Sequence, residues 1–405
     1  MLRFARKMPD KCLGCGACEE IVACPAGKPF SETLCFGCGA CQLACPGDAV
    51  MMFERAKTRD VEIKVNGEKF WVPERVTVKA ALELLGYRFS RFPEKGSMFA
   101  PCSVGGCYSC AVLVNGVLAP SCVTGVTEGM EILTDLPEDY VPKRIVHGWM
   151  GHPVGGVGTP WWLKGYGYIE VACFACGCNL RCPQCQNWTT TYCGKDKPMS
   201  PSEAARITTY MRNRYRVDRM AISGGESALN RSWLLSYVKA LRELNQDSDA
   251  RIHVDTNATI LTRDYIDDLV DAGMTDIGPD LKGLKVETFM RITGIKEQEL
   301  AEKYLRTSWD AFKYLVDNYK ERLFIGIGIP YNKMLISMDE IVRIGEEIMK
   351  IDESVQVCVL DYRPEFRNVS IPRPSYAEML NVWKALKDVG LKTVICQTPR
   401  GHIGP

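Results

Sequence analysis

Apolar and polar residues alternate clearly from residue 60 onward. Val61, Ile63 and Val65 alternate with charged neighbours, Asn66-Gly67 interrupts, and Phe70 and Val72 resume the pattern. Alternation broken by Asn-Gly predicts a β-hairpin with a two-residue turn. Ala80 to Leu85 reads as a short helix, and Val112, Val114, Asn115-Gly116 and Leu118 predict a second hairpin. The stretch HPVGGVGTPWW, inside residues 137–166, has no period and reads as a linker packed on the C-terminal region of the chain. From about 167, short apolar runs alternate with amphipathic helices. Strands are predicted at Tyr168–Ala172, Arg219–Ser223, Arg251–Val254, Thr275–Asp280, Leu323–Ile329, Val355–Leu360 and Thr393–Cys396. Leu305, Trp309, Phe312 and Val316 fall on one helical face. Ser200 with Glu203, Ser337 with Glu340 and Ser375 with Glu378 read as capping boxes, and Gly390 as a helix stop. Repeated β-α units predict an α/β fold with a parallel sheet. Six or seven of them favour a partial (β/α)6-type, TIM-like barrel over a doubly wound sheet. Sites in such barrels lie where strands end.

Composition narrows the function. The 405 residues suffice for two to four domains. Fifty basic against 49 acidic residues leave +1, which predicts neither a nucleic-acid partner nor an anionic membrane surface. No apolar run reaches the roughly 20 residues of a membrane span. The opening MLRFARKMPDKC lacks a secretory signal, so a cytoplasmic protein is expected. Twenty cysteines, bunched at metal-ligand spacings, point to iron–sulfur clusters or zinc in a reducing, oxygen-poor setting.

Residues 1–58 hold two runs. Cys12, Cys15 and Cys18 are spaced C-x2-C-x2-C, with Cys24-Pro25 beyond; Cys35, Cys38, Cys41 and Cys45-Pro46 read C-x2-C-x2-C-x3-C-P. A zinc module is the alternative reading. The region resembles two-cluster bacterial ferredoxins, in which the fourth cysteine of each run serves the other cluster. That resemblance implies one [4Fe–4S] cluster on Cys12, Cys15, Cys18 and Cys45, and a second on Cys35, Cys38, Cys41 and Cys24. The first run is two residues longer before its Cys-Pro, so a loop is enlarged there.

Residues 59–136 carry Cys102, Cys107, Cys110 and Cys122, a C-x4-C-x2-C run with a distant fourth cysteine. This is a [2Fe–2S] spacing; structural free thiols are the plainer reading. With its short last gap the segment resembles the succinate dehydrogenase iron–sulfur subunit and the small subunit of molybdenum hydroxylases. That implies a β-grasp fold. Tyr108 stands where that family usually has glycine.

In residues 167–405, Cys178, Cys182 and Cys185 read C-x3-C-x2-C directly after the first strand of the series. Three thiolates leave one iron of a [4Fe–4S] cluster open, as reactive metal sites require. Ser223-Gly224-Gly225-Glu226 ends the second strand, Asp255-Thr256-Asn257 the third, and Asp280-Leu281-Lys282-Gly283 the fourth, with Thr293-Gly294 beyond. Over residues 165–400 the chain resembles radical S-adenosylmethionine (SAM) enzymes. It is closest to the pyruvate formate-lyase activating enzyme group, while CNLRCPQCQNW also looks like the radical SAM member of the AmmeMemoRadiSam system. The resemblance implies that Cys178, Cys182 and Cys185 hold the catalytic cluster. It implies SAM contacts from Gly224, Gly225, Glu226, Asp255, Asn257, Asp280 and Lys282. The implied chemistry is reductive cleavage of SAM to a 5′-deoxyadenosyl radical that abstracts hydrogen, with a glycyl-radical enzyme as substrate. Cys358 stands where relatives commonly carry histidine.

The full expectation is SAM, three [4Fe–4S] clusters and one [2Fe–2S] cluster, with an external electron donor such as ferredoxin and a protein substrate or multi-subunit redox complex as partners. Two other readings stay open: radical chemistry on a small molecule or peptide with the auxiliary clusters accepting electrons, and a non-catalytic electron-transfer protein. Cys173, Cys176 and Cys193 read as ligands of another cluster or as buried thiols. Cys396 reads as core. His253 is a candidate site residue, Arg181 a candidate for steadying cluster charge, and His402 part of a mobile tail.

Overall fold

The computed structural model describes residues 2–163 and 167–405. The chain divides into two compact units. The first holds residues up to His147 together with Ala175–Asn179 and Asn187–Pro201; the second holds Gly148–Phe174, Leu180–Gln186 and Ser202–Pro405.

In the first unit, strands Leu2–Lys7 and Val50–Arg55 pair antiparallel and bracket the two cysteine runs. Each run passes through a glycine with positive φ, Gly16 and Gly39, into a short helix, Ala17–Glu20 and Ala40–Ala44. The next module is a five-stranded sheet in the order Glu68–Pro73, Asp60–Val65, Met130–Leu133, Ala111–Val114, Val117–Pro120. Both Asn-Gly turns form. Asn66 and Gly67 have φ of 50° and 87°, and Asn115 and Gly116 have 48° and 77°. Positive φ at both central residues matches the twist of the flanking strands. Helix Val78–Leu84 starts at Thr77, whose hydroxyl accepts the Ala80 N–H at 3.2 Å. Its buried face, Val78, Ala81 and Leu82, closes a core with Val61, Ile63, Val72, Val112 and Ile132. Burial of each large apolar side chain in this core contributes roughly 1.5–3 kcal/mol.

The segment expected to be a linker, 137–166, instead contains a strand, Arg144–His152. Arg144 and Ile145 pair antiparallel with Met199 and Pro198. Only two consecutive apolar residues, Ile145 and Val146, are buried before Gly148 intervenes, too few to give a readable period. Residues 164–166 of that segment lie outside the described residues.

The second unit is mixed α/β. Its strands are β1 (Glu170–Ala175), β2 (Arg219–Gly224), β3 (Arg251–Thr256), β4 (Asp276–Pro279), β5 (Phe324–Tyr331), β6 (Gln356–Asp361), β7 (Thr393–Thr398) and β8 (Gly401–Ile403), adjacent in that order. Pairs from β2 to β7 are parallel; β7 and β8 are antiparallel. The helices between them are α1 (Pro201–Tyr215), α2 (Arg231–Leu244), α3 (Arg263–Asp271), α4 (Val286–Thr293), α5 (Gln298–Tyr319), α6 (Met338–Ile351) and α7 (Tyr376–Val389). Asn230 caps α2 by accepting the Trp233 N–H at 3.2 Å. Trp233, Leu234, Tyr237, Val238 and Leu241, at helical spacing, are its buried face.

Two local expectations do not hold. Ser337 caps α6, but Glu340 does not complete the box: its carboxylate accepts the N–H groups of Leu284 and Lys285 at 3.0 Å and the Thr288 hydroxyl at 2.7 Å. A buried carboxylate goes where the most donors converge, in this case the start of α4. Ser375 and Glu378 do form the reciprocal box. His402 is not in a mobile tail, because β8 pairs with β7 and sets His402 opposite Gln397.

The glycine-rich stretch before β1 lies along the strands. Val157 and Thr159 carbonyls accept from the Gln356 amide at 3.3 and 2.8 Å, and the Gly156 N–H donates to Glu170 at 3.0 Å. A Cβ on Gly158 would stand 2.6 Å from His253 Nε2, and one on Gly326 would stand 2.2 Å from the Val157 carbonyl oxygen. Only glycine permits such approach.

Candidate active site and cluster sites

Within the first unit, Cys24, Cys35, Cys38 and Cys41 line one cavity with Ala5, Val22, Pro25 and Phe36. The Cys35 sulfur accepts N–H bonds from Ala5 and Gly37 at 3.4 Å each. Burial pushes the Cys38 thiol up to about 11, with the neighbouring thiols Cys35 and Cys24 adding to it. Four soft donors around an apolar cradle fit an iron–sulfur cluster, whose charge would replace the thiol protons. Cys12 and Cys18 are half-buried and Cys15 is exposed. The Cys45 sulfur accepts the Ala49 N–H at 3.2 Å.

Cys102, Cys107, Cys110 and Cys122 are all buried, at most 5% exposed. Cys107 and Cys102 sulfurs stand 3.2 Å apart. Their thiols also pull one another's proton affinities apart: Cys102 is held low by hydrogen bonds from Cys107 and Cys122, while Cys122 is held high by its hydrogen bonds to Cys102 and Cys110. Tyr108 keeps the left-handed conformation a glycine would take, at φ 59°. The departure therefore changes the side chain and not the loop, at a conformational cost of about 1–2 kcal/mol.

In the second unit the C-terminal ends of β2, β3 and β4 bring three of the predicted motifs together. Gly224 has φ 116°, a conformation that favours glycine, and the backbone of half-exposed Gly225 comes next. Glu226 is 1% exposed. One carboxylate oxygen accepts from Ala228 N–H at 2.9 Å and the Thr256 hydroxyl at 2.6 Å, and the other accepts the Asn257 N–H at 2.7 Å. Glu226 thus ties the end of β2 to the end of β3. Asn257 in turn accepts from the Thr259 hydroxyl and N–H at 2.6 and 3.1 Å.

Lys282 is 5% exposed. Its ammonium donates to Asp280 at 3.0 Å and to the Tyr362 hydroxyl at 3.1 Å. Burial alone would lower its proton affinity; the Asp280 carboxylate reverses that and holds it well above the usual lysine value. The same charge reaches Cys182, whose thiol burial pushes up to about 12 while Lys282 pulls it down. Cys185 follows in a turn closed by its N–H to the Cys182 carbonyl at 3.2 Å. The loop is anchored further by Arg181 N–H to the Thr293 carbonyl at 2.8 Å and by the Gln184 amide to the Ile292 carbonyl at 2.8 Å. A Cβ on Gly294 would meet the Arg181 carbonyl oxygen at 2.3 Å, which explains the glycine of Thr293-Gly294.

Asp255 and His253 belong to a buried charge cluster. His253 is fully buried, with Nδ1 3.1 Å from Glu170 and Nε2 3.0 Å from Asp255. Burial would discharge it, but Asp255 and Glu170 outweigh this and raise it to about 10.

The Radical SAM superfamily model matches residues 173–334, which contain the cysteine loop, the Gly-Gly-Glu turn and Lys282. The chain carries a radical SAM domain. A 2Fe-2S iron–sulfur cluster binding domain matches residues 58–137, and a 4Fe-4S binding domain matches 28–51. Among curated proteins, the chain is 31% identical over 119 residues to a "Probable GTP 3',8-cyclase" of Methanococcus aeolicus, covering 28% of this chain and 38% of that one. Among solved structures it resembles Streptococcus suis SuiB bound to S-adenosylmethionine, at 17% identity and TM-score 0.40, over 52% of this chain and 45% of that one. It also resembles the radical SAM coproporphyrinogen III oxidase of Escherichia coli, at 16% identity and TM-score 0.34, over 46% and 45%. The chain thus spans less than half the length of these relatives. No helix among the described residues is long and apolar enough to cross a membrane.

In the second unit, the contact of the Lys282 ammonium with the Tyr362 hydroxyl is one that sequence reasoning missed. The available signal was the place of Tyr362 directly after β6, one residue beyond Asp361. Cys358 turns to the Val157 carbonyl at 3.8 Å, and Cys396 is buried. Cys178 lies in the first unit's residue set, and Cys182 and Cys185 in the second's.

Proposed function

We propose that this chain is a radical SAM enzyme of the activating type whose own iron–sulfur sites deliver the electron. One observation carries the relay. Gly177, immediately before Cys178, packs on the [2Fe–2S] cysteines: a Cβ there would stand 3.0 Å from the Cys107 Cβ and 3.1 Å from the Cys102 Cβ. Further back, Phe36, between Cys35 and Cys38, lies against Gly125, where a Cβ would stand 2.5 Å from its ring. The electron's route is therefore proposed as ferredoxin-like sites, then Cys102–Cys122, then Cys178.

In this reading three [4Fe–4S] clusters and one [2Fe–2S] cluster occupy the four cysteine sets. Cys178, Cys182 and Cys185 hold the catalytic cluster in a partial (β/α)6 barrel. When bound, that cluster and SAM supply one-electron cleavage of the cofactor's S–C5′ bond and, through it, hydrogen abstraction. The chain's own residues orient and shield. Gly224 and Gly225 offer backbone to the amino group of SAM. Glu226 is a positioning residue, because its carboxylate is already engaged by Ala228, Thr256 and Asn257. Lys282, held charged by Asp280, supplies a cation for the SAM carboxylate, and Tyr362 fixes its direction. Asp255 is set back against His253.

A glycyl-radical enzyme is the proposed substrate, on the Asp280-Leu281-Lys282 resemblance, with a cytoplasmic ferredoxin as donor. The second reading, a small-molecule substrate, is favoured by the 31% identity to a protein named a probable cyclase of GTP. The test is 5′-deoxyadenosine release by the anaerobically reconstituted full chain. Wild type should respond to dithionite and to reduced ferredoxin, Cys182→Ala to neither, and Cys107→Ser to dithionite alone. Equal product from Cys182→Ala and wild type would defeat the enzyme; an undiminished ferredoxin response in Cys107→Ser would defeat the relay.

A further inference from the structure

A cluster of metal-ligating side chains in the first unit is not used by any of these sites. His147 Nδ1 lies 2.7 Å from an Asp196 carboxylate oxygen. These two ligand atoms and the Cys193 sulfur lie within 4.8 Å of one another. The Cys193 sulfur also accepts the backbone N–H groups of Lys195 and Asp196 and a hydrogen bond from the Cys176 thiol. A sulfur that collects the N–H groups two and three residues ahead sits in a turn already shaped for a thiolate. Cys193 and Cys176 are buried, packed with Ile145, Ile21 and Tyr108, while the His147 and Asp196 side chains remain 38% and 44% exposed. The cluster therefore has a buried sulfur floor and an open nitrogen–oxygen rim through which an ion can enter.

The donor set selects its ligand. Imidazole, carboxylate and thiolate converging on one point suit a single borderline-soft divalent ion with tetrahedral preference. An iron–sulfur cluster needs its ligands farther apart, because several metals and sulfides lie between them. We propose that His147, Cys193 and Asp196, completed by Cys176, bind one zinc ion.

The position gives the ion a task. Cys176 stands two residues before Cys178, and Cys193 eight residues after Cys185. One ion therefore pins the chain leading into and out of the catalytic cysteine loop. It also backs the [2Fe–2S] loop, since a Cβ on Gly106 would meet the Cys193 carbonyl oxygen at 2.6 Å and the Cys176 Cβ at 2.8 Å. The inference does not depend on SAM cleavage.

The test uses the full chain, purified anaerobically with its clusters, supplied with Zn2+ and passed over a chelating resin. Metal analysis should find roughly one zinc per chain beside the iron, with sulfur at about 2.3 Å and nitrogen or oxygen at about 2.0 Å in zinc-edge X-ray absorption. His147→Gln and Asp196→Asn, on the exposed rim where folding is least at risk, should lose most of the zinc and keep their iron. Cys193→Ser should lose it entirely. No zinc in the wild type, wild-type zinc in His147→Gln, a Cys176–Cys193 disulfide, or iron lost in step with these variants would each overturn the assignment.

Discussion

Residues 2–58 and the second unit are held together by different physics. In residues 2–58 the buried apolar side chains are mostly small: Ala5, Ala17, Ala40, Ala44 and Ala49, with Phe4, Val22, Phe36 and Val50. The second unit buries Trp233, Tyr237, Phe289, Tyr304 and Phe312. A segment of under about 60 residues is marginal in the surface it buries, more so with an alanine-rich core, and metal held by its cysteines would add its binding free energy to folding. The second unit has surface to spare and carries a buried ion cluster around His253 besides. One region has little apolar core beyond its cysteines, the other a large core that carries its site at the strand ends.

Stripping the iron tests the contrast most severely. Amide exchange in residues 2–58 should lose its protection, while β2 to β7 keep theirs. Equal loss in both would erase the distinction. Next, His253→Gln should cost the second unit about 3 kcal/mol, because it removes the cation between buried Glu170 and partly exposed Asp255, while Glu170 keeps Arg219 at 3.6 Å and His152 at 3.2 Å. Urea unfolding read from tryptophan fluorescence measures this. The same residue gives a pH signature. Its folded value of about 10 stands above the ordinary 6.5. Its stabilisation is whole below pH 6.5, shrinks as pH rises, and is gone above 10. The urea midpoint should fall across that window in wild type and less in His253→Gln.

Gly177→Ala should cost about 1–3 kcal/mol, from its φ of 85° and its contact with Cys107. Its readout is a weakened [2Fe–2S] electron paramagnetic resonance signal with the [4Fe–4S] signals retained. The smallest expected effect separates two caps in the second unit. Ser375→Ala breaks a reciprocal box and should cost about 1 kcal/mol in thermal unfolding. Ser337→Ala breaks a single bond and should cost less.

The parts of the fold written in local code were legible. Asn66-Gly67 and Asn115-Gly116 announced their hairpins, and the β-α alternation announced the consecutive parallel strands of the second unit. The strand at Arg144–His152 was not, because its buried apolar run, Ile145 and Val146, is too short to show a period. Glu340 looked like a capping residue because nothing local shows that Leu284 and Lys285 compete for it. For the site, cysteine spacing named candidate ligands, but Tyr362 reaches Lys282 only through the fold. Glu226 reads as a SAM contact in the sequence, and its bonds to Thr256 and Asn257 show only in the fold.

The glycines at 106, 125, 177 and 194 share a consequence for anyone who would rebuild the first unit. Each marks a spot where a side chain would collide with another segment: Cys193, Phe36, Cys107 and Val104 respectively. Exchanging a ferredoxin-like module or a cysteine-flanking segment singly for a counterpart with a side chain at any of these positions would strain the contact there. A transplant or redesign goes best with the segments on both sides of such a seam moved together.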